Sequence, residues 1–173
     1  VPMPHFPRHR NSLVQLLREA QEQHGWLPRP LLADLARELG LTLAQVEGVA
    51  SFYRFFHLQP VGRWRVLFSD NITDRLLGSE ALMADLCQRL RVKPGEMRAD
   101  GRVSVAATSC TGLCDQGPAL LINHHHVITR LDAQRVARIA ELIEADTPAA
   151  SWPAEWFRID DNVRRADVLL GQP

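Results

Sequence analysis

The sequence predicts an α/β protein: a helical N-terminal part over residues 1–61, a compact strand and helix domain over residues 62–146, and a tail over residues 147–173. Three observations lead there. The first part carries apolar residues at helical spacing, Pro60 and Gly62 then interrupt it, and short β-rich runs alternate with helical stretches beyond them. Composition agrees, because 173 residues that are 46% apolar and 23% charged can bury a substantial core in one or two small domains.

The elements follow in order. In "NSLVQLLREAQEQHG", Leu13, Leu16, Leu17 and Ala20 recur on one helical face and Gly25 ends the run. A second helix carries Leu31, Leu32, Leu35, Ala36 and Leu39, with Gly40 as its C-terminal cap. The third opens on Thr42, whose partner Gln45 sits three places on, the pattern of a capping box; Leu41 and Val46 are spaced as a hydrophobic staple. It runs into Phe52, Tyr53, Phe55 and Phe56, an aromatic cluster expected to pack in the core. Beyond Gly62, "RWRVLF" reads as a strand and a helix starts near Ser79, with Leu82, Met83, Leu86, Cys87 and Leu90 on its inner face. Cys87 is therefore expected to be structural. "RVSVAA" reads as a second strand, "ALLIN" and "HVITRL" as a hairpin, and a last helix begins at Asp132 with Val136, Ile139 and Ile143 inward. In the irregular tail, Trp152 and Trp156 are expected either to be exposed interface anchors or to fold back onto the strand and helix domain.

Twenty basic and twenty acidic residues cancel, so no overall field draws the chain to nucleic acid or to an anionic membrane. No apolar run approaches the roughly 20 residues that span a bilayer, and "VPMPHFPRHR" lacks the apolar core of a signal peptide. A cytoplasmic protein with protein partners, no nucleic acid and no membrane insertion is expected. Three cysteines, an odd number, argue against a disulfide framework and for free thiols, metal ligands or redox groups.

The chemistry centres on "SCTGLCDQGPALLIN", where Cys110 and Cys114 flank Gly112 in a tight loop whose backbone amides suit an iron–sulfur edge. The spacing alone is weak evidence of function. The longer stretch "DGRVSVAATSCTGLCDQGPALLIN" resembles the second cysteine motif of the thioredoxin-like [2Fe-2S] subunit family of complex I, the NADH:quinone oxidoreductase. "LLREAQEQHGWLPRPLLADLARELGLTLAQVEGVASFYRFF" is similar to the helical N-terminal domain of that family, so the resemblance covers roughly residues 10 to 146. It implies a helical bundle followed by a thioredoxin-like α/β domain. Related modules serve NAD-reducing hydrogenases and NAD-dependent formate dehydrogenases, as separate subunits or fused ahead of the flavoprotein. The diaphorase flavoprotein of the hydrogenases is the best match, because its N-terminal module is the one expected to carry an altered cysteine pattern. "NVRRADVLLGQP" is similar in character to the connection into a flavin-binding part, which makes this chain the expected front end of a longer polypeptide.

The family pattern also has two cysteines, separated by four residues, after the first strand, with a glycine four places beyond the second. Here the segment reads "FSDNITDRLLGSEAL". Anchored on Gly78, it puts Ser69 at the first cysteine position and Asp74 at the second. Both thiols are missing, while Cys110 and Cys114 match the other ligand pair. A [2Fe-2S] cluster takes two terminal ligands at each iron, nearly always thiolate or imidazole. One iron would keep its pair and the other lose both; Asp74 or Asp70 is a harder donor, and Ser69 needs a deprotonation that Arg75 alone cannot supply.

Three functions follow from different classes. The first in rank is an accessory module of an NADH-linked diaphorase, structural, with its cluster absent or atypical and FMN and NAD carried by the neighbouring flavin-binding NADH-oxidising subunit or fused domain, beside other iron–sulfur subunits. The second is an electron-transfer subunit whose [2Fe-2S] cluster takes non-cysteine ligands. The third is a dithiol redox protein using Cys110 and Cys114, disfavoured because thioredoxin thiols are spaced by two residues at a helix N-terminus. The chain alone is expected to catalyse nothing. "INHHHV" is expected to be a solvated turn in which at most His124 and His126 converge, and His5 and His9, interrupted by Pro7, are set aside.

Overall fold

A computed structural model describes residues 7–160. Its helices and strands follow the expected order, in two apolar clusters. The first is built from α1 (Leu13–His24), α2 (Arg29–Leu39) and α3 (Leu43–Phe52), which bury Leu16, Leu17, Leu32, Leu35, Val46 and Ala50 together. Gly25 and Gly40 close α1 and α2 in the left-handed conformation that favours glycine. The capping box is present in full: Gln45 N–H donates to Thr42 Oγ1 and Thr42 N–H to Gln45 Oε1.

The second cluster surrounds a four-stranded sheet in the order β2-β1-β3-β4, with β1 (Trp64–Ser69), β2 (Val103–Thr108), β3 (Leu120–Ile122) and β4 (His126–Ile128). The β1–β2 pair is parallel, and the other two pairs are antiparallel. Alternation along β1 puts Trp64, Val66 and Phe68 into the core with α5 (Ser79–Leu90) and α6 (Ala133–Glu144). Arg65, Leu67 and Ser69 point to the other face. There Leu67 lines a cleft with Phe56 and His57, and Arg65 lines another with Arg18 and Phe55, so the helical part lies over that face. Cys87 is buried in the core beside Leu86 and Leu90, and burial raises its thiol pKa above the ordinary value.

Several expectations need correction. A short helix, α4 (Ile72–Leu76), stands between β1 and α5, too brief to announce itself by periodicity. Phe52 is 77% exposed and Phe55 also lies at the surface, whereas Phe56 is buried. On a helix that turns Val46 and Ala50 inward, position 52 falls nearly opposite Ala50. Trp152 and Trp156 are buried rather than exposed. Trp152 stacks on Trp64 with ring centroids 5.5 Å apart, meets Trp156 edge to face, and donates its Nε1–H to Thr147 O at 2.8 Å. Trp64 Nε1–H donates to Asp146 Oδ1 at 2.9 Å. An indole buries a large apolar area and still finds a hydrogen-bond acceptor, so residues 147–157 fold back onto the sheet domain. The stretch "NVRRADVLLGQP" lies outside the described residues.

Candidate functional site

Because β1 and β2 run parallel, with Ser69 opposite Thr108, the segments that follow them leave the same end of the sheet. That brings residues 69–78 to the cysteine loop. Asn71 caps α4, its Oδ1 accepting from Asp74 N–H at 3.0 Å. The Asn71 amide nitrogen turns to three acceptors: Asp74 Oδ2, Ser69 Oγ at 3.3 Å and Cys110 Sγ at 3.5 Å. Thr111 closes the ring, its N–H donating to Ser69 Oγ at 3.2 Å and its hydroxyl lying 3.4 Å away. Ser69 and Asp74 are each only 1% exposed.

Across this network, Cys110 Sγ and Cys114 Sγ lie 3.2 Å apart as free thiols. Gly112, at φ +81°, makes the turn between them, and its N–H donates to Cys110 Sγ at 3.3 Å. The Cys114 thiol pKa lies above its ordinary value, chiefly through its hydrogen bond with Cys110, with desolvation and the nearby Cys110 and Asp74 adding to it. Cys110, Cys114, Ser69 and Asp74 therefore share one corner, with sulfur donors on one side and oxygen donors on the other.

Arg75 is not available to Ser69. It grips Asp70 with two hydrogen bonds of 2.6 and 3.1 Å and sits 3.6 Å from Glu80. That grip holds the Asp70 carboxyl below the usual carboxylate range. Asp74 has one carboxylate oxygen, Oδ1, that is buried without a hydrogen-bond partner. It fills the place a side chain at Gly117 would need: a Cβ there would stand 2.2 Å from it. The sequence reading missed Asn71, the hub of the corner. Its signal was available, since an asparagine three places before an acidic residue at the mouth of a helix is an N-cap pattern.

The histidines do not converge as a group. His124, in the turn at φ 62°, meets His57 with the two Nε2 atoms 2.7 Å apart. His125 is 3.6 Å from Glu22, and His126 packs on Phe157. The expectation of a solvated turn therefore fails for His124. Burial first, then His124 and Arg65, hold His57 down at about 4; burial first, then Arg65 and His125, hold His124 at about 4. The pair sits beside a cleft of about 540 Å³ that is lined by Arg18, Glu22, Phe55, Arg65 and His124 among others. His9 caps a short turn, its Nδ1 accepting from Asn11 N–H, and His5 lies outside the described residues.

Comparison with known proteins matches residues 3–144 to the family described as thioredoxin-like [2Fe-2S] ferredoxin. Among curated relatives, a subunit of the NADH-quinone oxidoreductase of Rhizobium meliloti is 34% identical over 87% of this chain and 92% of its own length. A subunit of the Escherichia coli NADH-quinone oxidoreductase is 35% identical over 72% of this chain and 77% of its own. Among solved structures, an H2-reduced NAD+-reducing [NiFe]-hydrogenase matches with a TM-score of 0.81 and 36% identity over 95% of this chain. Its air-oxidised form gives 0.75 and 37% over 86%. The chain spans only 28% and 25% of those two hydrogenase chains. No helix among the described residues is long and apolar enough to cross a membrane.

Proposed function

The chain belongs to the thioredoxin-like [2Fe-2S] ferredoxin family, and from that premise we propose that it is an accessory module of an NADH-linked oxidoreductase that holds a flavin-binding partner without carrying a cluster itself. The donor chemistry of the corner carries this reading. A [2Fe-2S] cluster asks for two soft terminal ligands at each iron. Cys110 and Cys114 would serve one iron. Opposite them stand a hydroxyl and a carboxylate, each drawn into hydrogen bonds with Asn71, and Ser69 also with Thr111. A serine ligand would have to lose its proton, and the Arg75 guanidinium is spent on Asp70. The donor set does not fit the cluster, and no electron is routed through it.

A surface for the partner lies beside the corner. On α4, Ile72 and Leu76 are 72% and 81% exposed, and Leu77 follows them into solvent. Three large aliphatic side chains on one short helix and its C-terminal cap are the kind of patch that a protein interface covers. FMN and NAD belong, in this reading, to the flavin-binding partner or a fused domain. The relatives named above, subunits of NADH-quinone oxidoreductases and chains of an NAD+-reducing hydrogenase, support that setting.

A second reading, a cluster completed by Ser69 and Asp74, draws on the unpartnered Asp74 Oδ1. That oxygen is packed against Gly117, and Oδ2 is already held by Asn71. Turnover of the assembled NADH-linked complex decides between the two. Replacing both Cys110 and Cys114 with alanine should leave assembly and turnover unchanged, and a large drop in turnover with assembly intact would sink the cluster-free reading.

A further inference from the structure

Resting on the cluster-free reading, we propose that Cys110 and Cys114 form a reversible disulfide and exchange it with small disulfides such as oxidised glutathione. The two sulfurs stand 3.2 Å apart with no bond between them. A bonded pair sits about 2 Å apart, so modest side-chain rotation closes the gap. The turn allows it, because Gly112 carries the left-handed backbone between them and no atom crowds its open side. Both thiols can be reached: Cys110 is exposed and Cys114 half-buried. The remaining cysteine, Cys87, is buried in the core and takes no part.

The two thiols have different roles. Cys110 is the more accessible, lies within reach of N–H donors from Gly112 and Asn71, and is the attacking group. Cys114, half-buried behind it, acts second. The Cys110 thiolate attacks one sulfur of glutathione disulfide, the glutathione S–S bond breaks, and one glutathione leaves as thiolate. Cys114 then loses its proton and attacks the mixed disulfide at Cys110, expelling the second glutathione. Two electrons pass from the protein thiols to glutathione disulfide, and the two thiol protons end on the two glutathiones.

The bond would change a surface, not the core. The Asn71 amide that touches Cys110 also caps α4, whose apolar residues form the proposed docking patch. Oxidation at the loop thus reaches the face where the partner sits.

The test equilibrates the full chain in glutathione buffers of graded reducing power, quenches exchange with acid, traps free thiols with an alkylating agent in denaturant and measures intact and peptide masses. The same preparation is assayed for iron and sulfide. Expected is an iron-free chain that loses two hydrogens as the buffer becomes oxidising, with the alkylating label then confined to Cys87. Cys114→Ser should instead accumulate a glutathione adduct on Cys110. An iron-free chain whose two loop thiols stay alkylatable throughout, or collect only separate glutathione adducts, would overturn the disulfide and leave the cluster-free reading standing. Iron with matching sulfide would overturn that reading and the disulfide with it.

Discussion

The two ends of β1 are built to opposite rules. At its start, Trp64 lies in a stack with Trp152, its indole N–H is held by Asp146, and Arg63 pairs with the same carboxylate at 2.6 Å. Apolar area is buried there and the polar atoms of both indoles are matched. At its end, Ser69 and Asp74 are equally buried, yet they meet a shared amide, two loose thiols and a carboxylate oxygen with no partner. An end that served only stability would not keep such a set. The comparison sets a scaffold at one end of the strand against, at the other, a corner of thiols, a hydroxyl and a carboxylate that the proposed function reads as a ligand site whose donors have changed.

The scaffold end should give the largest effect. Trp152→Ala removes the stacked indole and should cost about 3–5 kcal/mol, read by urea unfolding. A cost below about 1 kcal/mol would erase the difference between the two ends.

At the other end, Gly117→Ala forces a methyl group against Asp74 Oδ1 and should cost about 1–3 kcal/mol. The same change on an Asp74→Ala background should cost clearly less, since the crowding atom is gone; equal costs would show that the two residues are not coupled.

The middle of the strand gives a pH-dependent effect. His57 and His124 meet beside Arg65, with Arg18, His125 and Glu22 around them, and both are held at about 4, against an ordinary value of 6.5. Between those values the native chain binds fewer protons than the unfolded one. Stability should be complete above about pH 6.5 and fall as the pH drops towards 4. Thermal melts of His124→Asn over that range should show a shallower slope, and an unchanged slope would place the titration elsewhere.

The smallest effect belongs to the thiols. Cys110→Ala and Cys114→Ala should each shift unfolding by less than about 0.5 kcal/mol under reducing conditions, because neither sulfur is buried in the core.

Most of the fold was legible because its signals are local. The Thr42–Gln45 box, the glycines that end α1 and α2, and the alternation along β1 each depend on residues close in sequence. What was missed depends on distant partners. Nothing near Trp152 in sequence announces Trp64, 88 residues earlier, and nothing near His124 announces His57. Of the site, Cys110, Cys114, Ser69 and Asp74 could be picked out by spacing and by resemblance. Asn71 stayed hidden because its role depends on which acceptors the parallel pairing of β1 and β2 brings beside it.

The most direct measurement is iron and acid-labile sulfide per chain, on protein purified without oxygen, with an electron paramagnetic resonance spectrum after reduction and with Ser69→Cys/Asp74→Cys prepared alongside. The account predicts neither iron nor sulfide in the natural chain, and their appearance once the two thiols are restored. About two irons and two sulfides in the natural chain, with a signal abolished by Cys110→Ala, would contradict it.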